Sequence, residues 1–435
     1  GPYYDFDLKN AYPAALASFR DVRWDAPGGC CITIMNERMT DWLCAPHEVG
    51  FGVVDFEFPA DCAYPCIPVR DAAGRGLVYP LTGTDVPATL PEIQVALKAG
   101  AQVFAKTFVF LRQQKNSYPF RPMLRTMVAE RAKYAERDGA DSLGASLFKE
   151  LSCMVYGKTA QGIRSVFRFD PASLGMTRVP FSPLTNPVVA SHTTGLVRAA
   201  VSALMLQLHA KGKSIESVTT DGLITDASES EIASCDLFGL RERFEHARRH
   251  IAPHDFDAGV WSVKHWMEWF VNVKTRGNIA PNRDGVLARA GVKLTREEKN
   301  TLDEDPESCR TNLIHRYLTR SGPIVCSWEA LPSLREYFEK KADGIPKSVT
   351  RGLSWEYDLK RRPSDVADKV LSFNGDLLVH AVATTRPWHN IAEFDSARRA
   401  HLRLSRRVPP TEDGKCANTL RILKSATDFA DLEQE

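Results

Sequence analysis

The chain has 435 residues, of which 43% are hydrophobic and 25% charged, and its formal net charge at pH 7 is +2. A chain of this size can bury a sizeable core and is expected to form more than one lobe. The near-neutral charge excludes a uniformly basic protein, so polyanion binding would depend on local basic faces. We find no apolar run of membrane-spanning length and no secretory leader, and therefore expect no membrane partner.

Ten cysteines are scattered along the chain, as is ordinary for a protein of the reducing cytoplasm. Cys62 and Cys66, with Cys30, Cys31 and Cys44 upstream, could supply thiolates to a zinc ion. Their spacing lacks the paired knuckles of a zinc ribbon, and buried free thiols are the alternative.

The first predicted element is a strand that leads to Asp7. Tyr3, Tyr4 and Phe6 form an apolar, aromatic run typical of a buried strand. The segment Asp7-Leu8-Lys9-Asn10-Ala11-Tyr12-Pro13 includes the end of that strand.

Residues 14–110 contain strand-like pieces at 50–58 and 77–81, proline-rich turns and a short amphipathic stretch at 91–99. Asp55 and Glu57 would share one face of a strand and could bind a metal ion. No further carboxylate motif follows them in the order that an exonuclease requires, so we interpret this segment as an ordinary strand.

Residues 121–157 predict a helical hairpin. Met123, Met127 and Val128 give the first helix an apolar face, and a turn at 138–142 provides Ser142 as an N-cap for the second. An apolar stripe on the second helix consists of Leu143, Leu147, Leu151 and Met154. The segment Lys149-Glu150-Leu151-Ser152-Cys153-Met154-Val155-Tyr156-Gly157 lies in this helix.

A long apolar helix is predicted from Ser191 to Leu208, followed by a hairpin from Ser214 to Thr225. Thr219-Thr220-Asp221-Gly222 forms the tip of that hairpin. Further along, the stretch beginning at Lys264 leads into Lys274-Thr275-Arg276-Gly277. The densest basic run, Arg398 to Arg407, suits either a grip on a nucleic-acid backbone or an ordinary amphipathic helix.

The three quoted segments at Asp7, Lys149 and Asp221 occur in a fixed order and resemble motifs A, B and C of family B DNA polymerases. The resemblance implies an α/β right-hand polymerase with palm, fingers and thumb and an antiparallel palm sheet. The implied divisions are palm at 1–28 and 191–292, a first insertion at 29–110, fingers at 111–163, a second insertion at 164–190, and thumb at 293–435.

The two insertions make the chain similar to the protein-primed subgroup of phages and linear plasmids, whose first insertion is called terminal-protein region 1. Surface loops without a role are the alternative. Because motif A lies within seven residues of Gly1, the resemblance implies a polymerase core that lacks the usual N-terminal exonuclease domain.

By the same resemblance, Asp7, Asp221 and Lys149 are catalytic. Asp7, Asp221 and the carbonyl of Leu8 would hold two Mg²⁺ ions, for which Mn²⁺ can substitute. Nucleotide binding is assigned to Leu8, Tyr12, Arg131, Lys149 and Tyr156, with Tyr12 excluding ribonucleotides. Solvated helix faces are the alternative for Arg131, Lys133 and Arg137. DNA binding is assigned to Gly157, Lys274 and Arg276, and Arg198, in a pattern that also looks like the family, is interpreted as structural.

Two positions depart from the family pattern. Thr219 stands where the family has the first aspartate of motif C, and Cys153 stands where it has the asparagine of motif B. Cysteine is a poor hydrogen-bonding group, which puts the checking of the templating base pair in doubt.

The predicted function is template-directed addition of deoxynucleotides to a primer by two-metal-ion transfer, in replication of a virus, plasmid or mobile element. The expected partners are primer-template DNA, dNTPs and, in the subgroup, a terminal protein, with an exonuclease domain or other replication subunits also open. The expected location is a bacterial or host-cell cytoplasm, with an organelle left open. The alternatives are a primer-independent polymerase and a weakly active or non-catalytic DNA-binding relative.

Overall fold

The computed structural model describes residues 2–74, 76–253, 259–319, 324–341, 343–353, 355–406, 423 and 425–434. The strands are β1 (Tyr3–Leu8), β2 (Cys31–Arg38), β3 (Gly50–Glu57), β4 (Val69–Arg70), β5 (Leu77–Val78), β6 (Thr82–Thr89), β7 (Gln102–Leu111), β8 (Phe167–Asp170), β9 (Gly175–Arg178), β10 (Ile215–Val218), β11 (Gly222–Thr225), β12 (Trp261–Met267), β13 (Val271–Lys274), β14 (Gly277–Ile279), β15 (Leu287–Arg289), β16 (Ile324–Ala330), β17 (Lys347–Leu353), β18 (Arg362–Phe373) and β19 (Asp376–Arg386). The helices are α1 (Ala11–Ala17), α2 (Asp41–Cys44), α3 (Leu90–Lys98), α4 (Arg121–Asp138), α5 (Leu143–Thr159), α6 (Pro187–Ala210), α7 (Glu229–Ala233), α8 (Leu240–Ile251), α9 (Arg296–Glu304), α10 (Pro306–Thr319), α11 (Leu334–Lys340), α12 (Ile391–Arg406) and α13 (Ala426–Gln434).

The sheet that organises the site has four antiparallel strands in the order β10-β11-β1-β12. Strand β1 is central, and its side chains alternate between the two faces. Phe6 and Leu8 are buried in the main hydrophobic core, whereas Asp7 between them lies on the opposite face. The predicted strand ending in Asp7 and the predicted hairpin around Asp221 are both present.

The segment 29–110 folds into a sheet and helices that pack on the rest of the main core. Strands β2-β7-β3-β6 form an antiparallel sheet, and helix α3 matches the predicted amphipathic stretch. Phe56, Phe108 and Ile93 from this layer belong to the same core as Phe6 and Leu196. The alternative of loose surface loops therefore does not describe this segment.

The predicted helical hairpin is formed by α4 and α5. Ser142 caps α5, since its Oγ accepts a hydrogen bond of 3.3 Å from the amide of Ala145. The apolar stripe of α5 is largely in solvent, because Leu143, Leu147 and Met154 are exposed by 87%, 52% and 51%. The stripe thus does not pack into the core as its pattern alone would suggest.

The predicted boundary at residue 190 falls inside α6, which begins at Pro187 after an N-cap at Asn186. The segment before α6 contains the β8–β9 hairpin. Among the residues that the structure describes, α6 is the one helix long and apolar enough to cross a membrane, but 78% of that window is buried inside the fold.

The C-terminal part has a second core. Val273 and Ile279 from the β13-β14-β15 sheet pack with Leu313 of α10 and with Trp355. The predicted basic run belongs to α12 as far as Arg406, and Arg407 lies outside the described residues.

The cysteines within the described ranges are free thiols, with Cys44 and Cys66 buried. Over those ranges, no three His, Cys, Asp or Glu side chains are grouped so that they could hold a metal ion. The structure therefore favours free thiols over a zinc site at Cys62 and Cys66.

Candidate active site

Two aspartates from distant parts of the chain meet at one end of the central sheet. Asp7 pairs in register with Gly222. Asp221 immediately precedes Gly222, in the turn between β10 and β11. The Leu8 amide donates a 2.8 Å hydrogen bond to the Asp221 carbonyl, and the Thr219 amide donates one of 2.8 Å to the Gly222 carbonyl. Backbone hydrogen bonds between β1 and the β10–β11 hairpin therefore hold Asp7 and Asp221 at the same end of the sheet.

Glycine is required at position 222. A Cβ there would lie 2.4 Å from Oδ1 of Asp7, 2.4 Å from the carbonyl oxygen of Phe6 and 3.3 Å from Oγ1 of Thr219. The contact with the Phe6 backbone leaves a larger residue no room without a shift of the strand. The close approach of β11 to Asp7 therefore depends on the missing side chain.

The aspartates are electrostatically coupled. Burial raises the pKa of Asp221, and the carboxylate of Asp7 raises it further, while Lys264 and Arg276 act in the opposite direction. A third carboxyl group, Asp5, lies on the same face of β1 as Asp7, and burial raises its pKa to about 6. Asp7 thus has two acidic neighbours, each of which it makes harder to ionise.

Lys264 supplies one cation to this cluster. Its Nζ forms an ion pair with Oδ2 of Asp7. The ladder between β1 and β12 pairs Asp5 with His265 and Phe6 with Val263, so Lys264 is the extra residue of a β-bulge.

The donor set of Asp7, Asp221 and the Leu8 carbonyl consists of hard oxygen ligands, which suit Mg²⁺. The carboxylate of Asp7 contributes to the raised pKa of Asp221, as a neighbouring like charge does. Thr219 contributes no carboxylate, and its hydroxyl donates to the Gly222 carbonyl at 3.3 Å. The residues present therefore fit a divalent metal with fewer carboxylates than the family pattern has.

Tyr12 and Tyr156 are brought together as a stacked pair, with ring centroids 4.8 Å apart and an interplanar angle of 20°. Tyr12 lies near the start of α1, and burial together with Asp221 raises its pKa to about 12. Tyr156 of α5 is thus in contact with the segment that follows Asp7.

Arg198 joins this tyrosine pair to the first insertion. Its Nε donates a 2.7 Å hydrogen bond to Oε1 of Glu92, whose side chain is 1% exposed. The other oxygen of Glu92 accepts from the Thr89 amide at 3.0 Å and from its hydroxyl at 2.6 Å. The structural role predicted for Arg198 agrees with this ion pair.

Lys149 and Arg131 lie on exposed faces of α5 and α4. Cys153, one turn after Lys149, is exposed too, and both cations oppose the rise in the pKa of its thiol. Gly157, one turn later, is exposed, and a Cβ there would meet no atom within 4 Å. This face of α5 is open to a ligand.

Lys274 and Arg276 lie at the β13–β14 turn, near the Asp221 hairpin. Arg276 donates from Nη2 to Oγ1 of Thr220 at 3.0 Å. Lys274 is half-buried, and burial lowers its pKa although Asp358 and Glu356 oppose the change. Arg276 is therefore at the site edge, whereas Lys274 faces acidic residues of the C-terminal part.

A local basic surface lies at the end of α1 away from Tyr12. Arg121 donates from Nε to the Ala17 carbonyl at 3.0 Å, and its guanidinium lies 3.2 Å from the ring centroid of Tyr118. Arg20 donates to the Tyr118 hydroxyl at 3.1 Å, and Nη2 of Arg121 lies 3.0 Å from Nδ1 of His246. Arg20 is also paired with Glu48 at 3.0 Å, so the cluster carries partly neutralised basic charge.

No model of a known protein family matches the chain. The chain is, however, 30% identical over 424 residues to an Escherichia coli protein described as primer-independent DNA polymerase PolB. The chain is a relative of the family B DNA polymerases. The alignment covers 92% of this chain and 44% of the relative, so the chain spans less than half the length of the curated protein it matches.

Solved structures give a partial likeness. Phi29 DNA polymerase in a ternary complex with primer-template DNA and nucleotide matches with a TM-score of 0.43 and 11% identity, over 89% of this chain and 58% of that one. The family B polymerase of Pyrobaculum calidifontis matches with a TM-score of 0.30 and 13% identity, over 81% of this chain and 40% of that one. The mixture of helices and strands and the antiparallel central sheet agree with the predicted α/β class and its antiparallel palm sheet.

Several residues of the site were not assigned from the sequence. Asp5 and Lys264 gave no motif, although Asp5 is spaced by two from Asp7, as neighbours on one strand face are. Glu92 carried a readable signal, because Thr89 and Glu92 form the spacing of a capping box. Lys264 had no such signal, since a bulge is visible only once β1 and β12 are paired.

Proposed function

We propose that the chain is a polymerase core that adds deoxynucleotides to the 3′ end of a DNA primer, directed by a DNA template. The single observation that carries the proposal is the meeting of Asp7 and Asp221 at the adjoining ends of β1 and the β10–β11 hairpin. The relation to a DNA polymerase over 92% of the chain supports it.

Asp7, Asp221 and the Leu8 carbonyl would hold two divalent ions. When bound, Mg²⁺ activates the primer hydroxyl and neutralises charge on the leaving pyrophosphate. Lys149 and Arg131, exposed on the fingers, bind the triphosphate and stabilise the charge that develops on it. Placement of the primer by the protein then converts the reaction into an effectively unimolecular step.

Tyr12 selects the sugar. Its ring is held against Tyr156 and partly buried, so it cannot turn away to admit a 2′-hydroxyl without breaking the stack. Gly157, Lys274 and Arg276 contact the DNA near the primer end, with Arg276 nearest to the Asp221 hairpin.

A second candidate function is synthesis that starts without a primer. The observation in its favour is the relative itself, which is described as primer-independent.

Priming by a terminal protein is the competing proposal from the protein-primed subgroup. The ring contact between Phe169 of β8 and Phe338 of α11, at 5.9 Å, supports a second insertion that reaches the thumb.

Incubation with a labelled primer-template, Mg²⁺ and dNTPs, beside a reaction that contains template without primer, tests these proposals. Extension of the primer supports the first, and products in both reactions support the second. Absence of products in both, with DNA binding intact, would leave the non-catalytic DNA-binding relative as the remaining function.

A further inference from the structure

The β-bulge in β12 gives Lys264 an orientation that a regular strand would not. In the ladder with β1, Asp5 pairs with His265 and Phe6 with Val263, which leaves Lys264 without an opposing residue. A bulged residue bends its strand and redirects its side chain, and such bulges often lie beside functional sites. Here the redirected ammonium forms an ion pair with Oδ2 of Asp7.

The ammonium of Lys264 pairs directly with the carboxylate of Asp7. Thr219 replaces a carboxylate that the family pattern has, so the site carries less negative charge than that pattern. Lys264 pairs with one of the carboxylates that remain.

The side chain of Lys264 is able to move away from Asp7. Its side chain is 53% exposed, whereas that of Asp7 is 19% exposed, so the ammonium can move into water while the carboxylate stays. An exposed ion pair contributes little net stability, and a divalent ion attracts a carboxylate more strongly than an ammonium does.

We infer that Lys264 is a resident counter-ion of this centre, which neutralises Asp7 in the metal-free protein and competes with the divalent ion for that carboxylate. The inference rests on the proposed function in one respect, since it takes Asp7 as a metal ligand. Lys264 is a positioning residue: it holds Asp7 beside Asp221 until the metal replaces it, and so sets the metal affinity.

The test is a titration of Mn²⁺ without DNA or nucleotide, with free Mn²⁺ measured by its electron paramagnetic resonance signal. Lys264→Met removes the charge and keeps the length of the side chain, and it should bind Mn²⁺ about tenfold more tightly than the parent. Lys264→Arg retains the cation and should bind like the parent. Lys98→Met, which removes a lysine paired with Asp41 away from the site, controls for net charge.

Asp7→Asn separates the two claims. If it binds Mn²⁺ as well as the parent, Asp7 is not a ligand and the proposed metal site fails. If it loses binding while Lys264→Met and the parent bind alike, the metal site stands and the Lys264 inference is overturned.

Thermal unfolding provides a second readout that does not need tight binding. In EDTA, the unfolding midpoints of Lys264→Met and the parent should lie close together, because an exposed ion pair contributes little net stability. Mn²⁺ should raise the midpoint of Lys264→Met by more than it raises that of the parent. Equal shifts with Mn²⁺ would also contradict the inference.

Discussion

At the scale of single residues, the close approach of β11 to β1 depends on Gly222. Gly222→Ala would place a Cβ 2.4 Å from both Oδ1 of Asp7 and the Phe6 carbonyl, so the strand or the carboxylate must move. We expect a loss of about 1–3 kcal/mol in the free energy of unfolding, as for overpacking, together with a fall in primer extension. Urea unfolding and an extension assay measure the two effects.

Gly157→Ala is the matched control for the stability measurement alone, because no atom lies within 4 Å of its added Cβ. In the last turn of α5, alanine should leave stability unchanged or increase it by about 0.5–1 kcal/mol. A Gly222→Ala protein as stable and as active as the parent would show that the turn has more room than its geometry indicates.

Tyr12 allows a second test at this scale. Tyr12→Ala removes the ring and should raise the incorporation of ribonucleotides relative to deoxynucleotides, whereas Tyr12→Phe keeps the ring and its stack on Tyr156. Single-nucleotide incorporation with dNTP and rNTP gives both ratios. An unchanged ratio in Tyr12→Ala would assign Tyr12 to packing alone.

At the scale of elements, helix α3 in segment 29–110 packs closely against α6 and is joined to it by an ion pair. A Cβ on Gly195 of α6 would lie 2.1 Å from Oγ1 of Thr89, and Arg198 one turn later pairs with the buried Glu92. Arg198→Met leaves the Glu92 carboxylate buried without its cation, which should cost about 3–5 kcal/mol in the free energy of unfolding.

Lys98→Met is again the control, because it breaks the exposed pair with Asp41 on the same helix and should cost less than about 1 kcal/mol. Denaturant unfolding of the two variants decides between them. Equal stabilities would mean that the Glu92–Arg198 pair does not join the insertion to the palm helix.

Elements with a local signal were predictable from the sequence. Strand β1, the α4–α5 hairpin with its cap at Ser142, and the β10–β11 hairpin each follow from periodicity or turn residues within a short window. The exposed stripe of α5 was not predictable in this way, because periodicity gives a face and not what covers it. The start of α6 was predicted at Ser191 because Pro187 was not recognised as the first residue of the helix.

At the scale of the whole molecule, the site depends on contacts between segments far apart in the chain. Asp7 and Asp221 could be assigned from motifs, yet the fold was needed to bring Lys264 and Asp5 to them. The packing of 29–110 into the main core likewise depends on contacts with β1 and α6 that no local pattern encodes.

The most direct test of the central claim is primer extension in Mg²⁺ by the parent, Asp7→Asn and Asp221→Asn. Asp55→Asn is the control, since Asp55 is a strand aspartate paired with Lys106 at 3.4 Å in the first insertion. Loss of a metal-binding carboxylate should remove several kcal/mol of transition-state stabilisation, which corresponds to a fall of about a hundredfold or more. The account predicts that fall in both site variants, with DNA binding retained and Asp55→Asn like the parent; near-normal extension by Asp7→Asn or Asp221→Asn would contradict it.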